Sequence, residues 1–267
     1  MLAPDLVARL AAELHDAKKR RVQVRHFSMH HPGMTIADGY AIQRAWVALK
    51  PAGGRTIKGR KIGLTSRAMQ LSSQITEPDF APLLDDMFFE AGGDIPVDRF
   101  IAPRVEVEPA FIVGKPLKGP GVTLAGALAA IELVTPAVEI IDARIEQFDR
   151  APRHRARSST PSPISPPTPA SSSVAGRCGR TTPTCAGPAP CSTRTASSKR
   201  RAWPRRCSTI RPTASPGSPT KIAVYDEQLD AGVVVLAGSF TLPTTAARGN
   251  TFHVDCGRLG AIAFRFA

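Results

Sequence analysis

Residues 151–220 hold 13 of the chain's 25 prolines and 12 of its 35 basic residues without a single Asp or Glu. Proline locks φ and has no amide N–H to give to a ladder, and few large apolar side chains accompany it here. This interval is therefore expected to supply neither central strands nor a core, and reads as a largely disordered basic loop. Any fold must be built from what precedes and follows it. The net charge of +13 belongs to the same interval, because the rest of the chain carries 23 basic against 22 acidic residues. That remainder is an ordinary near-neutral globular protein, and 267 residues give ample length for a core. Cys178, Cys185, Cys191 and Cys207 also fall in the interval without any C-x-x-C pair, so they read as stray thiols rather than a zinc module. No apolar run approaches the roughly 20 residues of a membrane span. The first residues lack the basic-then-apolar order of a secretion signal, so a soluble cytoplasmic protein is expected, with no membrane partner.

Asp5, then Leu6, Leu10 and Leu14 at helical spacing, then Lys18-Lys19-Arg20, describe a surface helix with its cations at the C-terminal end. Thr35 and Asp38 have the spacing of a capping box for a second helix running to Leu49. His30 and His31, in a Pro-Gly loop between them, fit solvated side chains better than metal ligands. Lys58 to Ser66 is a basic, glycine-punctuated short strand that suits either an anion or a surface turn, and lacks the spacing of a phosphate loop. Asp85 and Asp86 read as turn or cap residues, and residues 123–134 have helical character. Residues 233–241 read as a buried strand entering a glycine turn. Phe252 and Val254, then Ile262, Phe264 and Phe266, alternate on either side of Gly257 and Gly260, which predicts a terminal hairpin with His253 on its outer face.

The stretch Arg104-Val-Glu-Val-Glu-Pro-Ala-Phe111 bears on function. In a strand Val105 and Val107 face one way and Glu106 and Glu108 the other. Two carboxylates so close in an apolar run call for a compensating cation, and hard oxygen ligands suit Mg²⁺ or Mn²⁺. Glu139, inside the apolar run 137–142, is a candidate third ligand. The same alternation also fits a half-exposed strand whose glutamates face water.

Lys58-Gly-Arg-Lys-Ile-Gly-Leu-Thr-Ser66, Ser73-Gln-Ile-Thr-Glu-Pro-Asp79, Leu83-Leu-Asp-Asp-Met-Phe-Phe89, Asp98-Arg-Phe-Ile101, Arg104-Val-Glu-Val-Glu108, Glu139-Ile-Ile-Asp-Ala-Arg144, Gly238-Ser-Phe-Thr241 and Thr251-Phe-His-Val-Asp255 together resemble the fumarylacetoacetate hydrolase superfamily. Within it they are most similar to the 2-oxo-alkenedioate hydratases of homoprotocatechuate breakdown, which stand beside vinylpyruvate hydratases and 4-oxalocrotonate decarboxylases. Arg60 departs from the Lys-Gly-His-Lys form of the first motif, which alters the polarity beside Lys61. The resemblance implies an α+β fold, with a helical N-terminal part (1–70) and a mixed β-roll or barrel (71–150 and 221–267). It implies Mg²⁺ or Mn²⁺ on Glu106, Glu108 and Glu139, and a 2-oxo dicarboxylate substrate hydrated by metal-assisted enolisation. Lys61, with a lowered pKa, and Asp79 would move the proton, Gly238 and Ser239 would hold a substrate carboxylate, and a homo-oligomer is expected.

Where the resemblance leads to Asp-Thr-Ile-Ser-Asp-Asn-Ala-Ala-Asn-Ala-Gly, the chain has Thr160-Pro-Ser-Pro-Ile-Ser-Pro-Pro-Thr-Pro-Ala170. Written in cytosine-ending codons and read one base late, the first string becomes the second except at Ile164 and Ser165. The expectation is that residues from about 152 to 219 are translated out of frame and that the frame returns near Thr220-Lys221, with activity impaired if the family's strands are missing. A second function class is a polyanion binder using the basic arm, with Trp203 as its aromatic. A frame slip accounts for charge, prolines and cysteines together, so no nucleic-acid partner is expected.

Overall fold

The computed structural model describes residues 1–50, 54–65, 70–71, 75, 77–146, 171–175, 192–195, 228–239 and 241–267, the two short middle segments in backbone only. Helix α1 (Pro4–Arg20) starts with proline at a position that needs no amide donor, and ends where Arg21 turns left-handed at φ 56°. A single helical turn, α2 (Phe27–His30), occupies part of the expected loop. Helix α3 (Ile36–Ala48) has the expected capping box, with the Thr35 hydroxyl accepting from the Asp38 amide and the Asp38 carboxylate accepting from the Thr35 amide. Leu10, Leu14, Ile42 and Trp46 of α1 and α3 pack as one layer against Leu84, Met87 and Ile145.

Two sheets lie under this layer. Strands β1 (Ile57–Gly63), β2 (Asp79–Leu84), β3 (Phe88–Phe89), β5 (Pro103–Val113), β6 (Ile131–Asp142), β7 (Ser171–Ala175) and β9 (Val234–Leu236) form the larger sheet, in the order β2-β1-β9-β5-β6-β7-β3. The short β10 (Thr244–Thr245) also pairs with β5. The smaller sheet runs β4 (Asp94–Ile95), β12 (Ala261–Phe266), β11 (Thr251–Asp255), β8 (Ser192–Thr195). The expected terminal hairpin is β11 paired antiparallel with β12, and His253 is exposed. Between the sheets Val105, Val107, Val138 and Ile140 meet Phe252, Val254, Ile262, Phe264 and Phe266, an apolar contact continuous across both. This is the α+β roll that the sequence implied, and β1 belongs to its larger sheet.

Two expectations are corrected. Helical character does not extend to residue 134: α4 (Leu124–Ala130) stops at Ala130, and β6 begins at once. Ile131, Val134 and Thr135 are β-branched and find partners on β5, so pairing overrides helical spacing. The interval 151–220 is also not without strands. Backbone pairs join Ser171–Ala175 to β6 and Ser192–Thr195 to β11. Both segments are free of proline, so every ladder donor is intact there. The remainder of the interval, with its four cysteines and Trp203, lies outside the described residues.

Candidate metal centre

Strands β5 and β6 pair antiparallel with Glu106 directly opposite Glu139, and Val105 and Val107 opposite Ile140 and Val138. Because side chains alternate, this register sends the valines and isoleucine to the intersheet core and the three glutamates together to the other face. One carboxylate oxygen from each of Glu106, Glu108 and Glu139 lies within 4.8 Å of the others, with Glu108 1% and Glu139 0% exposed. Buried carboxylates at this spacing repel one another and are poorly solvated. Burial, aided by the Glu139 charge, lifts Glu106 to about 7, and Glu108 is raised well above the ordinary carboxylate range for the same two reasons. Oε1 of Glu108 is buried without a hydrogen-bond partner among the described residues. An all-oxygen, triply acidic, partly desolvated donor set with an orphaned oxygen fits a hard divalent cation such as Mg²⁺ or Mn²⁺. His30 is exposed and stands outside this cluster.

Lys61 reaches the centre from β1. Its Nζ lies 2.5 and 2.6 Å from the two oxygens of Glu139, a bidentate ion pair. Burial pulls the ammonium pKa down, but the charges of Glu139 and Glu108 outweigh it, so Lys61 is held above the ordinary lysine range. The expected lowering does not occur in the ion-free site, because the carboxylates that would bind the metal stabilise the ammonium first. Asp79 opens β2 opposite Gly63, so close that a Cβ on the glycine would collide with its Oδ1, and its charge also favours protonated Lys61.

Gly238 follows β9 with φ at +99°, and a Cβ there would stand 2.6 Å from the Thr65 hydroxyl oxygen, so both backbone and space require glycine. Its amide donates to Oε2 of Glu108 at 3.2 Å. The Ser239 hydroxyl is 2.7 Å from the Thr241 carbonyl and 3.2 Å from that of Val107. In this state both groups hold the turn against β5. Thr241 adds a contact that sequence reading missed: its Oγ1 accepts from the Val107 amide at 3.2 Å. The Gly-Ser-Phe-Thr string carried that signal, but no spacing within one strand reveals a partner 134 residues away.

Three acidic side chains that could hold a divalent cation, on a mixed β-roll and with a lysine placed against one of them, make the donor set of a metal-dependent enzyme. No protein-family model matches the chain. It is 45% identical over 269 residues to the 2-oxo-hept-4-ene-1,7-dioate hydratase of Escherichia coli, covering 96% of both chains. It is 38% identical over 144 residues to the 2-hydroxypent-2,4-dienoate hydratase of Pseudomonas putida, a match spanning 54% of this chain and 65% of that one. The structure superposes on 4-oxalocrotonate decarboxylase from Pseudomonas putida G7, complexed with magnesium and adipate, with a TM-score of 0.85, covering 100% of this chain and 99% of that one; the identity of 24% makes this a likeness of fold. The chain belongs to the family of the 2-oxo-hept-4-ene-1,7-dioate hydratase. Among the described residues no helix is long and apolar enough to cross a membrane.

Proposed function

We propose that this chain is a divalent-metal-dependent hydratase of a 2-oxo-heptenedioate in the breakdown of an aromatic compound. The observation that carries the reading is the three-glutamate cluster of 4.8 Å span, with Lys61 bonded to one member, in a chain 45% identical to a dioate hydratase over nearly all its length. Glu106, Glu108 and Glu139 would hold the ion. Bound there, Mg²⁺ or Mn²⁺ would supply Lewis-acid stabilisation for charge developing on the 2-oxo oxygen of a chelated α-keto acid.

The remaining work falls to the chain's own groups. A 2-oxo-4-ene must first move a proton from C3 to C5 to bring its double bond into conjugation with the ketone. Water then adds across C3 and C4, its oxygen bonding to C4 and a proton reaching C3. Lys61 is the proposed proton carrier: a cation held by the glutamates would compete with its ammonium for Glu139, and burial would then act to lower its pKa. Asp79, close to Lys61, is proposed to relay that proton. Gly238 and Ser239 are proposed to hold a substrate carboxylate, their turn donors exchanging present acceptors for the ligand. A homo-oligomeric assembly belongs to this proposal through the family likeness, and no nucleic-acid partner does.

The test is an ultraviolet assay. A conjugated 2-oxo-heptenedioate should lose its absorbance in the presence of chain and Mg²⁺, and the rate should fall to background in excess chelator and return with added Mg²⁺ or Mn²⁺. Release of carbon dioxide in place of hydration would assign a decarboxylase reaction. The proposal of a frame slip across 152–219 is tested in the gene: the alternative frame should encode a less proline-rich, acid-containing sequence, and failure to do so refutes it.

A further inference from the structure

Just beyond the end of β6 a guanidinium is buried with its hydrogen-bonding capacity unused. Arg144 is 1% exposed, and its Nε, Nη1 and Nη2 all lack a hydrogen-bond partner among the described residues. Its guanidinium carbon lies 4.4 Å from the centroid of the Trp46 ring, and Nζ of Lys50 lies 4.9 Å from the same centroid. The indole Nε1 of Trp46 is itself buried without an acceptor there, as is Nδ1 of His15 on α1. Lys18, one turn further along α1, is near enough to feel the same guanidinium: burial, then the Arg144 charge, lowers it to about 8. Burial and Arg144 also lower Lys50.

Two carboxylates face this group, and both have other partners. Asp142 accepts from the amides of Ile101 and Ala102 through Oδ1, each at 2.8 Å. Asp86 lies near Arg55 through Oδ2 at 3.8 Å, and its own Oδ1 is buried without a donor among the described residues. A buried guanidinium with none of its donors used is far from its preferred state, since desolvation is compensated only by charge-assisted hydrogen bonds. Its planar fork matches a carboxylate or phosphate with two parallel N–H···O bonds.

We infer that Arg144, Trp46, Lys50 and Lys18 form an oxyanion site, filled by inorganic phosphate or a free carboxylate, where α1, α3 and the end of β6 meet. It is distinct from the three-glutamate centre. Arg144 follows Glu139 by five residues, roughly 15 Å of extended chain. Its donors come from all three elements, so the bound anion fastens the helical layer to the roll. The anion completes the guanidinium fork and neutralises the lysines, and Trp46 supplies both the ring under Arg144 and a further donor.

The test is thermal unfolding of the full chain in excess chelator, so that the glutamate centre contributes nothing. Phosphate, acetate and chloride are compared at matched ionic strength. Phosphate at about 100-fold excess over its dissociation constant should raise the wild-type midpoint by roughly 5–10 °C relative to chloride. R144M should remove that rise, and K50M, altered at the rim, should reduce it by half or more. A rise with phosphate alone identifies a phosphate site, and an equal rise with acetate identifies a carboxylate site. No anion-specific rise in the wild type, or a full rise in both R144M and K50M, overturns the inference. Should R144M fail to fold, a full wild-type response in K50M overturns it.

Discussion

Glu139→Gln is expected to weaken Mg²⁺ binding on the order of 10²-fold or more and to lower turnover on the order of 10³-fold. The change is isosteric, so the fully buried side chain keeps its packing and its place opposite Glu106. Only the charge goes, and with it one of the three proposed anionic ligands and the bidentate partner of Lys61. Titration calorimetry with Mg²⁺ reads the first effect, independently of whether this chain turns over substrate; the absorbance assay reads the second. Mg²⁺ binding by Glu139→Gln within threefold of wild type would exclude Glu139 as a ligand.

The same centre fixes a pH dependence. Glu106 titrates near 7 in the ion-free fold, against about 4.5 for its ordinary value. Between those values the folded state holds a proton that the unfolded chain has released, so ion-free stability should fall as pH rises through this window, by about 2–3 kcal/mol for Glu106. An ion must displace that proton, so Mg²⁺ affinity should climb with pH up to about 7, close to tenfold per unit for each proton released. Thermal midpoints at pH 5, 6 and 7.5, with chelator and with Mg²⁺, should diverge increasingly with pH. Parallel curves would place the metal elsewhere.

Local patterns made much of this legible in the sequence. The alternation of Val105 and Val107 with Glu106 and Glu108 predicts two faces, and the capping pair Thr35 and Asp38 predicts where α3 begins; both effects are set by residues within a few positions. What is not local is not legible in the same way. Nothing in residues 131–134 says that they pair with β5 rather than extend α4, because that choice depends on Phe111 and Ile112 being available across the hairpin. The strands at 171–175 and 192–195 are hidden when proline content is averaged over an interval in which these segments contain none. The direction of the Lys61 pKa is hidden for a related reason. Desolvation follows from an apolar neighbourhood that sequence suggests, whereas the opposing charge comes from Glu139, 78 residues away.

Lys61→Met separates metal binding from catalysis. In the ion-free protein Glu139 engages Lys61 with both oxygens, at 2.5 and 2.6 Å, so an incoming cation must compete with the ammonium. Methionine fills a similar volume without charge, and Glu139 is left with no cation but the metal. Mg²⁺ affinity at pH 8 should therefore hold or rise, while turnover falls on the order of 10²–10⁴-fold through loss of the proposed proton carrier. The ion-free variant should be destabilised by about 3–5 kcal/mol above pH 7, since one partner of a buried pair has been removed, and Mg²⁺ should recover most of that loss. A structural lysine would behave differently: both metal affinity and turnover would decline together, and Lys61→Arg, which preserves the ion pair but alters the acid, would restore activity. If Lys61→Met weakens Mg²⁺ binding about tenfold, or Lys61→Arg retains full turnover, Lys61 acts through Glu139 alone and the proton must travel by another group.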